Sequence, residues 1–184
     1  MTPETAERVW TGGRPLRDAL FGDLTWRRPG VFSRRLILEA GSEEVAGLRW
    51  ERWFSFEAIA ESADGLWIIG RRRSGSLRGD HIVRDAGSDA EVAAFTRNWR
   101  GKGAVRFASG AEYLWGSEGF WNPRYFWTTE DGHPLMTFRS VHGFGRSYEM
   151  EVDPAARKLE ELPVLTLLGG YTMAMITAQR AAAS

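Results

Sequence analysis

Apolar and polar residues alternate in short segments along most of the chain, from about residue 24 to residue 152. The clearest examples are Phe54–Glu61 and Tyr148–Val152, where apolar residues fall mainly on every second position. Because successive side chains of a strand point to opposite faces, this pattern predicts strands with one buried and one solvated face. Asp64-Gly65 and Asp131-Gly132 separate such segments, and Asp-Gly between them predicts hairpins with type I′ turns.

The alternating segments predict a mainly β protein with about twelve strands. Regularly spaced hairpins indicate an antiparallel meander. An open sheet of this size would leave exposed edges, so we expect the strands to close into a barrel or to stack as two sheets. The predicted strands are residues 24–28, 33–40, 44–51, 54–62, 65–72, 81–85, 91–97, 103–108, 111–116, 123–129, 133–140 and 146–152.

The pattern changes after Asp153-Pro154, where residues 155–183 are predicted to form a helix with a weak point at Gly169-Gly170. No charged residue occurs from Leu162 to Gln179. A surface helix has a charged face, so a helix without one is buried on all sides or lies in lipid. After a closed set of strands, we expect this helix inside the barrel. A membrane span is the alternative, since the uncharged run has 18 residues.

Three segments carry a likeness to a known family. They are Val105–Trp115 (VRFASGAEYLW), Tyr125–Trp127 (YFW) before an Asp-Gly turn, and Leu159–Leu168 (LEELPVLTLL). In these segments the chain resembles the tubby C-terminal-like superfamily, which includes tubby-like proteins, LURP-one-related proteins and phospholipid scramblases. The resemblance covers about residues 20–180. It implies a single domain over residues 1–184, with twelve antiparallel strands closed around a hydrophobic C-terminal helix.

The resemblance also implies peripheral recognition of lipid headgroups, since some members of the superfamily bind phosphoinositides through basic pockets. Scramblases carry an acidic calcium-binding segment just before the final helix. Here the corresponding residues Glu149–Arg157 (EMEVDPAAR) contain too few spaced acids, so neither calcium binding nor scrambling is inferred. No phosphoinositide pocket aligns residue by residue with this chain.

Composition excludes several other classes of protein. The chain has 184 residues, 43% of them hydrophobic, and no cysteine, which excludes disulfides, thiolate nucleophiles and cysteine-bound metals. Its 24 basic and 24 acidic residues give zero formal net charge, which disfavours nucleic-acid binding. The N-terminal sequence MTPETAERVWTGG lacks the apolar run of a signal peptide. We therefore expect a cytoplasmic protein, with peripheral contact to a membrane left open.

No grouping of residues indicates catalysis or a bound cofactor. His81, His133 and His142 are isolated and lack the spacing of metal ligands. The chain has no nucleophile elbow, P-loop or dinucleotide fingerprint. The acid pairs Glu43-Glu44 and Glu160-Glu161 fit a hairpin turn and a helix start. We predict that the protein is not an enzyme and carries neither a metal nor an organic cofactor.

Basic residues provide the first candidate site. Arginine accounts for 22 of the 24 basic residues. This excess reflects either selection for anion recognition or the codon usage of a GC-rich genome. A cluster around a Gly/Ser-rich loop could cradle an anion or a lipid headgroup through guanidinium and backbone N–H groups. Its members are Arg71, Arg72, Arg73 and Arg78. Arg27-Arg28 and Arg34-Arg35 form a second basic cluster.

Aromatic residues provide the second candidate site. Trp115 and Trp127 lie in predicted strands and are predicted core residues. Phe120 and Trp121 lie in a predicted loop, where they would either contact a membrane interface or cap one end of the barrel. The predicted function is a binding module for an anionic phospholipid or a phosphorylated ligand. A protein–protein interaction module is the main alternative, and an enzyme or a lipocalin-like carrier is a weaker one.

Overall fold

The computed structural model describes residues 13–30, 33–52, 55–72, 81–98, 100–141 and 147–182. These residues form twelve β-strands, two α-helices and one 3₁₀ turn. The strands are β1 (Leu24–Arg27), β2 (Arg35–Ala40), β3 (Glu43–Trp50), β4 (Ala58–Ser62), β5 (Gly65–Arg71), β6 (His81–Asp85), β7 (Glu91–Arg97), β8 (Gly103–Phe107), β9 (Glu112–Glu118), β10 (Arg124–Thr128), β11 (Pro134–Val141) and β12 (Ser147–Val152). The helices are α1 (Leu16–Ala19) and α2 (Leu162–Ala182), and the 3₁₀ turn is Ala156–Lys158.

The twelve strands form one closed antiparallel barrel in which each strand pairs with its neighbours in the chain. The barrel closes where β1 pairs with β12, with Leu24 opposite Met150 and Arg27 opposite Ser147. Closure satisfies the edge hydrogen bonds that an open sheet would expose. The predicted β class, the strand number and the antiparallel order are confirmed.

The interior of the barrel holds α2. Every residue from Leu162 to Ala174 is buried. The predicted weak point at Gly169-Gly170 does not interrupt the helix, because the missing side chains make room for Phe138 and Trp26, whose rings lie directly against the two glycines. The helix is long and apolar enough to cross a membrane, but 72% of its most apolar window is buried inside the protein. The predicted burial of the helix within the barrel is confirmed.

Two element boundaries differ from the predictions by more than two residues. The α-helix begins at Leu162 rather than at residue 155, after the 3₁₀ turn, and Pro163 lies in its first turn, where a missing backbone N–H costs no hydrogen bond. Strand β4 begins at Ala58, so the alternation over residues 55–57 does not mark a strand. Residue 54 itself lies outside the described part of the chain. The carbonyl of Phe56 instead accepts a hydrogen bond from Tyr171 Oη at 2.5 Å.

Hairpins join the strands at both Asp-Gly sites, but the predicted type I′ turns are wrong. Asp89 is the only non-glycine residue with positive φ in the described part of the chain, so neither Asp64 nor Asp131 has that conformation. The Asp64 carboxylate instead accepts a hydrogen bond from the Leu16 backbone N–H at 2.8 Å, which fixes α1 against the barrel. At the other site, Gly132 comes directly after the turn at Glu130-Asp131 and has a φ of 83°.

Tryptophan side chains fill the space between α2 and the wall. Trp115 and Trp127 are buried, as predicted, and their ring centroids are 4.8 Å apart. Phe138 packs on Trp115 at 5.6 Å, and Phe95 packs on Trp127 at 5.4 Å. Together with α2, these rings occupy the space in which a lipocalin-like barrel would hold its ligand, which disfavours the carrier alternative.

Candidate functional site

Barrel topology gives the two ends of the molecule different sets of loops. Strands alternate in direction, so all connections that follow odd-numbered strands lie at one end. The C-terminus of α2 leaves at this end, where Gln179 contacts Arg97 and Thr177 contacts Tyr148. We call it the helix-exit end. At the opposite, helix-entry end, Glu161 accepts hydrogen bonds from Ser109 and Tyr113 at the start of α2.

Charge divides between the two ends although the chain as a whole is neutral. In the described residues, the connections at the helix-exit end carry the bases Arg28, Arg34, Arg52, Arg72, Arg100 and Lys102 and the acids Glu51 and Glu57. The connections at the helix-entry end, with the segment before β1, carry the acids Asp18, Asp23, Asp64, Asp89, Glu130, Asp131, Asp153, Glu160 and Glu161 and the bases Arg14, Arg17, Arg157 and Lys158. The protein is therefore polarised along the barrel axis, with a basic helix-exit end.

The terminal residues of the strands repeat this division. At the helix-exit end they include Arg27, Arg35, Arg71, Arg97, Arg124 and Glu118, and at the helix-entry end Glu43, Asp85, Glu91 and Glu112. The distribution complements the dipole of α2, whose negative C-terminal end lies among the bases and whose positive N-terminal end lies among the acids. The described members of both predicted basic clusters lie at the helix-exit end, because Arg71 and Arg72 stand at the end of β5 and the second cluster surrounds the β1–β2 connection.

Some of these bases are held by carboxylates. The guanidinium of Arg27 forms a two-pronged ion pair with Glu39 on β2, and the bonds from Arg27 hold the pKa of the Glu39 carboxyl below its usual range. Arg72 pairs with Glu91 at 2.8 Å. Arg84 contacts both Asp89 and Glu57. These arginines stabilise the wall of the barrel, and their charges are partly neutralised.

A cleft opens at the helix-exit end between the last turns of α2 and strands β5–β7. Most of its volume of about 310 Å³ is open solvent at the mouth, and only a small part is enclosed by protein. We call it the exit cleft. Its lining consists of Phe56, Arg71, His81, Phe95, Arg97, Tyr171, Thr172, Met175 and Gln179. Among the described residues, this lining includes aromatic and cationic side chains but no carboxylate.

Two arginines face this cleft from the inner side of the wall. Arg71 follows the buried Ile69 by two positions, and Arg97 follows the buried Phe95 by two, so both continue the inward-facing rows of their strands. The guanidinium of Arg71 lies 3.8 Å from the centroid of the Phe56 ring. Arg97 is half-buried and donates a hydrogen bond to Gln179 Oε1 at 2.9 Å. Neither guanidinium forms an ion pair within the described part of the chain.

Burial shapes the electrostatics of the cleft. Loss of water on burial lowers the pKa of Arg97, because burial disfavours the charged form. At the floor, burial raises the pKa of Tyr171 far above its usual value, although the nearby charges of Arg71 and Arg97 act in the opposite direction. The His81 ring packs edge-on against Tyr171, with centroids 5.4 Å apart. The cleft is therefore a partly desolvated site with excess positive charge.

Phe120 and Trp121 lie in the β9–β10 connection, also at the helix-exit end. Their exposed fractions are 88% and 93%, and the two rings meet edge to face with centroids 5.4 Å apart. The interpretation that they cap the barrel end is therefore wrong, because a cap would bury them. Large aromatic side chains exposed in this way are typical of contact sites for a membrane or a partner.

The predicted site residues are thus brought to one end of the molecule, where the described part of the chain includes them. Arg71 lies in the exit cleft, whereas Arg72 lies outside it and pairs with Glu91. Arg73 and Arg78 lie outside the described residues. Sequence reasoning missed Arg97 and Gln179, which are distant from the arginine cluster along the chain. Strand alternation carried the signal for Arg97, since it shares the face of Ala93 and Phe95.

No group of three or more histidine, aspartate or glutamate side chains that could hold a metal ion is found in the part of the chain that the structure describes. His133 lies 3.5 Å from Asp153 at the helix-entry end, and a backbone N–H bond from Ala155 is the main cause that lowers the pKa of that aspartate. His142 lies outside the described residues. Among the described residues, the helix-exit end instead concentrates guanidinium groups.

Comparison of the chain with family models, with curated proteins and with solved structures finds no match. The resemblance to the tubby C-terminal-like superfamily therefore stays a prediction, and the function has to be argued from the geometry of the helix-exit end.

Proposed function

We propose that the protein is a non-enzymatic binding module that attaches its helix-exit end to anionic lipid surfaces. The observation that carries this proposal is the separation of charge along the barrel axis in a chain of zero net charge. Each basic residue close to an anionic membrane contributes about 1 kcal/mol of attraction, screened by salt. The acidic helix-entry end would be repelled, so the molecule would approach in one orientation.

Phe120 and Trp121 supply the apolar part of the proposed contact. They lie at the same end as the bases, and both side chains are almost fully exposed. Aromatic rings are favoured at the headgroup level of a bilayer, where the ring meets the apolar region. The basic residues and the exposed aromatic pair together supply the electrostatic attraction and the apolar insertion that hold peripheral proteins on membranes.

Flotation with vesicles tests the proposal. We expect the protein to float with phosphatidylserine-containing vesicles at low salt, less at high salt, and not with pure phosphatidylcholine. Arg71→Ser with Arg72→Ser should weaken binding by about ten- to thirtyfold, because two nearby charges contribute about 2 kcal/mol. Arg17→Ser with Lys158→Ser is the matched control, since it removes two exposed charges at the helix-entry end.

Equal binding by the two double variants would contradict the proposed orientation. Absence of wild-type binding at low salt would contradict lipid attachment altogether. The second result would favour protein–protein association, with Phe120 and Trp121 as the exposed anchors.

A further inference from the structure

We propose that the exit cleft is a binding site for one phosphate group, held between the guanidinium groups of Arg71 and Arg97. The proposal rests on the proposed function of the helix-exit end and deepens it by naming a site and a ligand chemistry. The phosphate belongs either to a lipid headgroup or to a small soluble phosphate compound, and the experiment below separates the two sources.

The two arginines carry charge that the described residues do not neutralise. Arg97 is half-buried, and its hydrogen bond goes to the neutral side chain of Gln179. Arg71 contacts the face of Phe56 instead of an acid. Other arginines of the barrel wall, such as Arg27 and Arg106, are paired with carboxylates. Keeping a guanidinium in a partly desolvated site without a carboxylate costs free energy, so a bound anion would relieve this cost.

The cleft holds these two groups in place before a ligand arrives. The planar guanidinium of Arg71 is stacked 3.8 Å from the centroid of Phe56, and that of Arg97 is oriented by Gln179. Guanidinium groups present pairs of N–H donors that fit the oxygens of a phosphate, and charge-assisted hydrogen bonds are stronger than the neutral bond to an amide. A phosphate would replace Gln179 as the acceptor for Arg97.

Two hydroxyl groups at the cleft already donate hydrogen bonds to backbone carbonyls. Tyr171 Oη donates to the Phe56 carbonyl, and Thr172 Oγ1 donates to the Leu168 carbonyl at 2.7 Å. The nearest acid that acts on Tyr171 is Glu57, whose carboxylate lies 3.6 Å from the Arg84 guanidinium. The ligand therefore meets two cations flanked by Phe56 and Phe95, an environment that favours a compact dianion over a neutral polar group. A phosphate monoester has this charge at neutral pH.

Calorimetric titration with inorganic phosphate and with glycerol 3-phosphate tests the site directly. Arg71→Gln and Arg97→Gln should each weaken binding by about tenfold or more, because each removes a charge-assisted contact. Arg52→Gln is the matched control, since it removes one exposed charge at the same end but outside the cleft. Thermal unfolding checks that each variant folds. If Arg97→Gln fails to fold, the exposed Arg71 still provides the test.

Flotation of the same variants with phosphatidic acid in phosphatidylcholine distinguishes the sources. Weaker flotation of Arg71→Gln and Arg97→Gln than of Arg52→Gln supports a lipid headgroup in the cleft. Cleft-dependent binding of glycerol 3-phosphate without any flotation supports the site, assigns it to a soluble ligand and overturns the proposed function. Flotation that is equal in all three variants, with no calorimetric binding of phosphate, overturns the cleft site and leaves membrane attachment standing.

Discussion

Gly170 of α2 lies so close to Trp26 of β1 that a Cβ atom at Gly170 would be 2.7 Å from both Cε2 and Cζ2 of the indole. Trp26 is fully buried and has no free space into which to move. On the adjacent position, a Cβ at Gly169 would be within 2.9 Å of Phe138 Cε1 and Cε2. The two glycines therefore set the distance between the central helix and the wall.

Gly170→Ala should destabilise the fold, although alanine is the better helix former by about 1 kcal/mol. Overpacking of a filled core costs about 1–3 kcal/mol, so we expect a net loss of stability. Urea unfolding measures this loss. Gly30→Ala is the control, because no atom lies within 4 Å of its Cβ position. A Gly170→Ala variant more stable than wild type would show that Trp26 can move to make room for the added methyl group.

Leu168→Asp should prevent folding, because Leu168 is fully buried on the central helix. An unpaired carboxylate in an apolar core costs several kcal/mol, which is a large part of the stability of a domain this size. Circular dichroism and sedimentation of the purified variant report the loss.

Ala178→Asp places the same group on the exposed last turns of α2 and should cost about 1 kcal/mol or less. A cooperatively folded Leu168→Asp protein would contradict a central helix packed on all sides.

Alkaline pH should destabilise the protein through its four tyrosines. Burial is the main cause that raises the pKa of each tyrosine. The pKa of Tyr113 rises to about 12, and the pKa values of Tyr125, Tyr148 and Tyr171 are also raised above the usual value. The unfolded chain ionises tyrosine near pH 10, so between about pH 10 and 12 the folded state binds more protons than the unfolded state. Stability should therefore fall as pH rises through this window.

Ultraviolet titration of tyrosinate should show ionisation at higher pH in the native protein than in the urea-unfolded protein. Urea midpoints measured from pH 8 upward should fall above about pH 10. Coincident tyrosinate titrations in the two states would refute the burial of these hydroxyls.

Phe120→Ser combined with Trp121→Ser should weaken vesicle binding by about tenfold or more, because the inserted apolar area is lost. Stability should change by about 0.5 kcal/mol or less, since both side chains are exposed. Flotation and thermal unfolding give the two measurements. Phe21→Ser is the control, because Phe21 is exposed but precedes β1 at the helix-entry end. Unchanged flotation of the double variant would exclude these aromatics from the contact.

Local signals along the chain were sufficient to predict the barrel and its helix. Alternation places residues such as Trp115 and Trp127 on the inner face, and the absence of charge from Leu162 onward agrees with the burial of the helix on every side as far as Ala174. Alternation failed at residues 55–57, where a distant hydroxyl, that of Tyr171, binds the Phe56 carbonyl. At the Asp64 turn the carboxylate likewise has a partner that is distant along the chain, the N–H of Leu16.

The candidate site depended on tertiary structure to a greater degree. The sequence identified Arg71 and the pair Phe120 and Trp121, but no local signal joined them, because their shared end of the barrel follows from the antiparallel order of the strands between β5 and β9. Exposure of the two aromatics likewise depended on what packs above them. The exit cleft is lined by Arg71 of β5 and Arg97 of β7, next to the last turns of α2. Alternation and hydropathy act between near neighbours in the chain and therefore determine elements, whereas a site made of three distant elements exists only once they have packed.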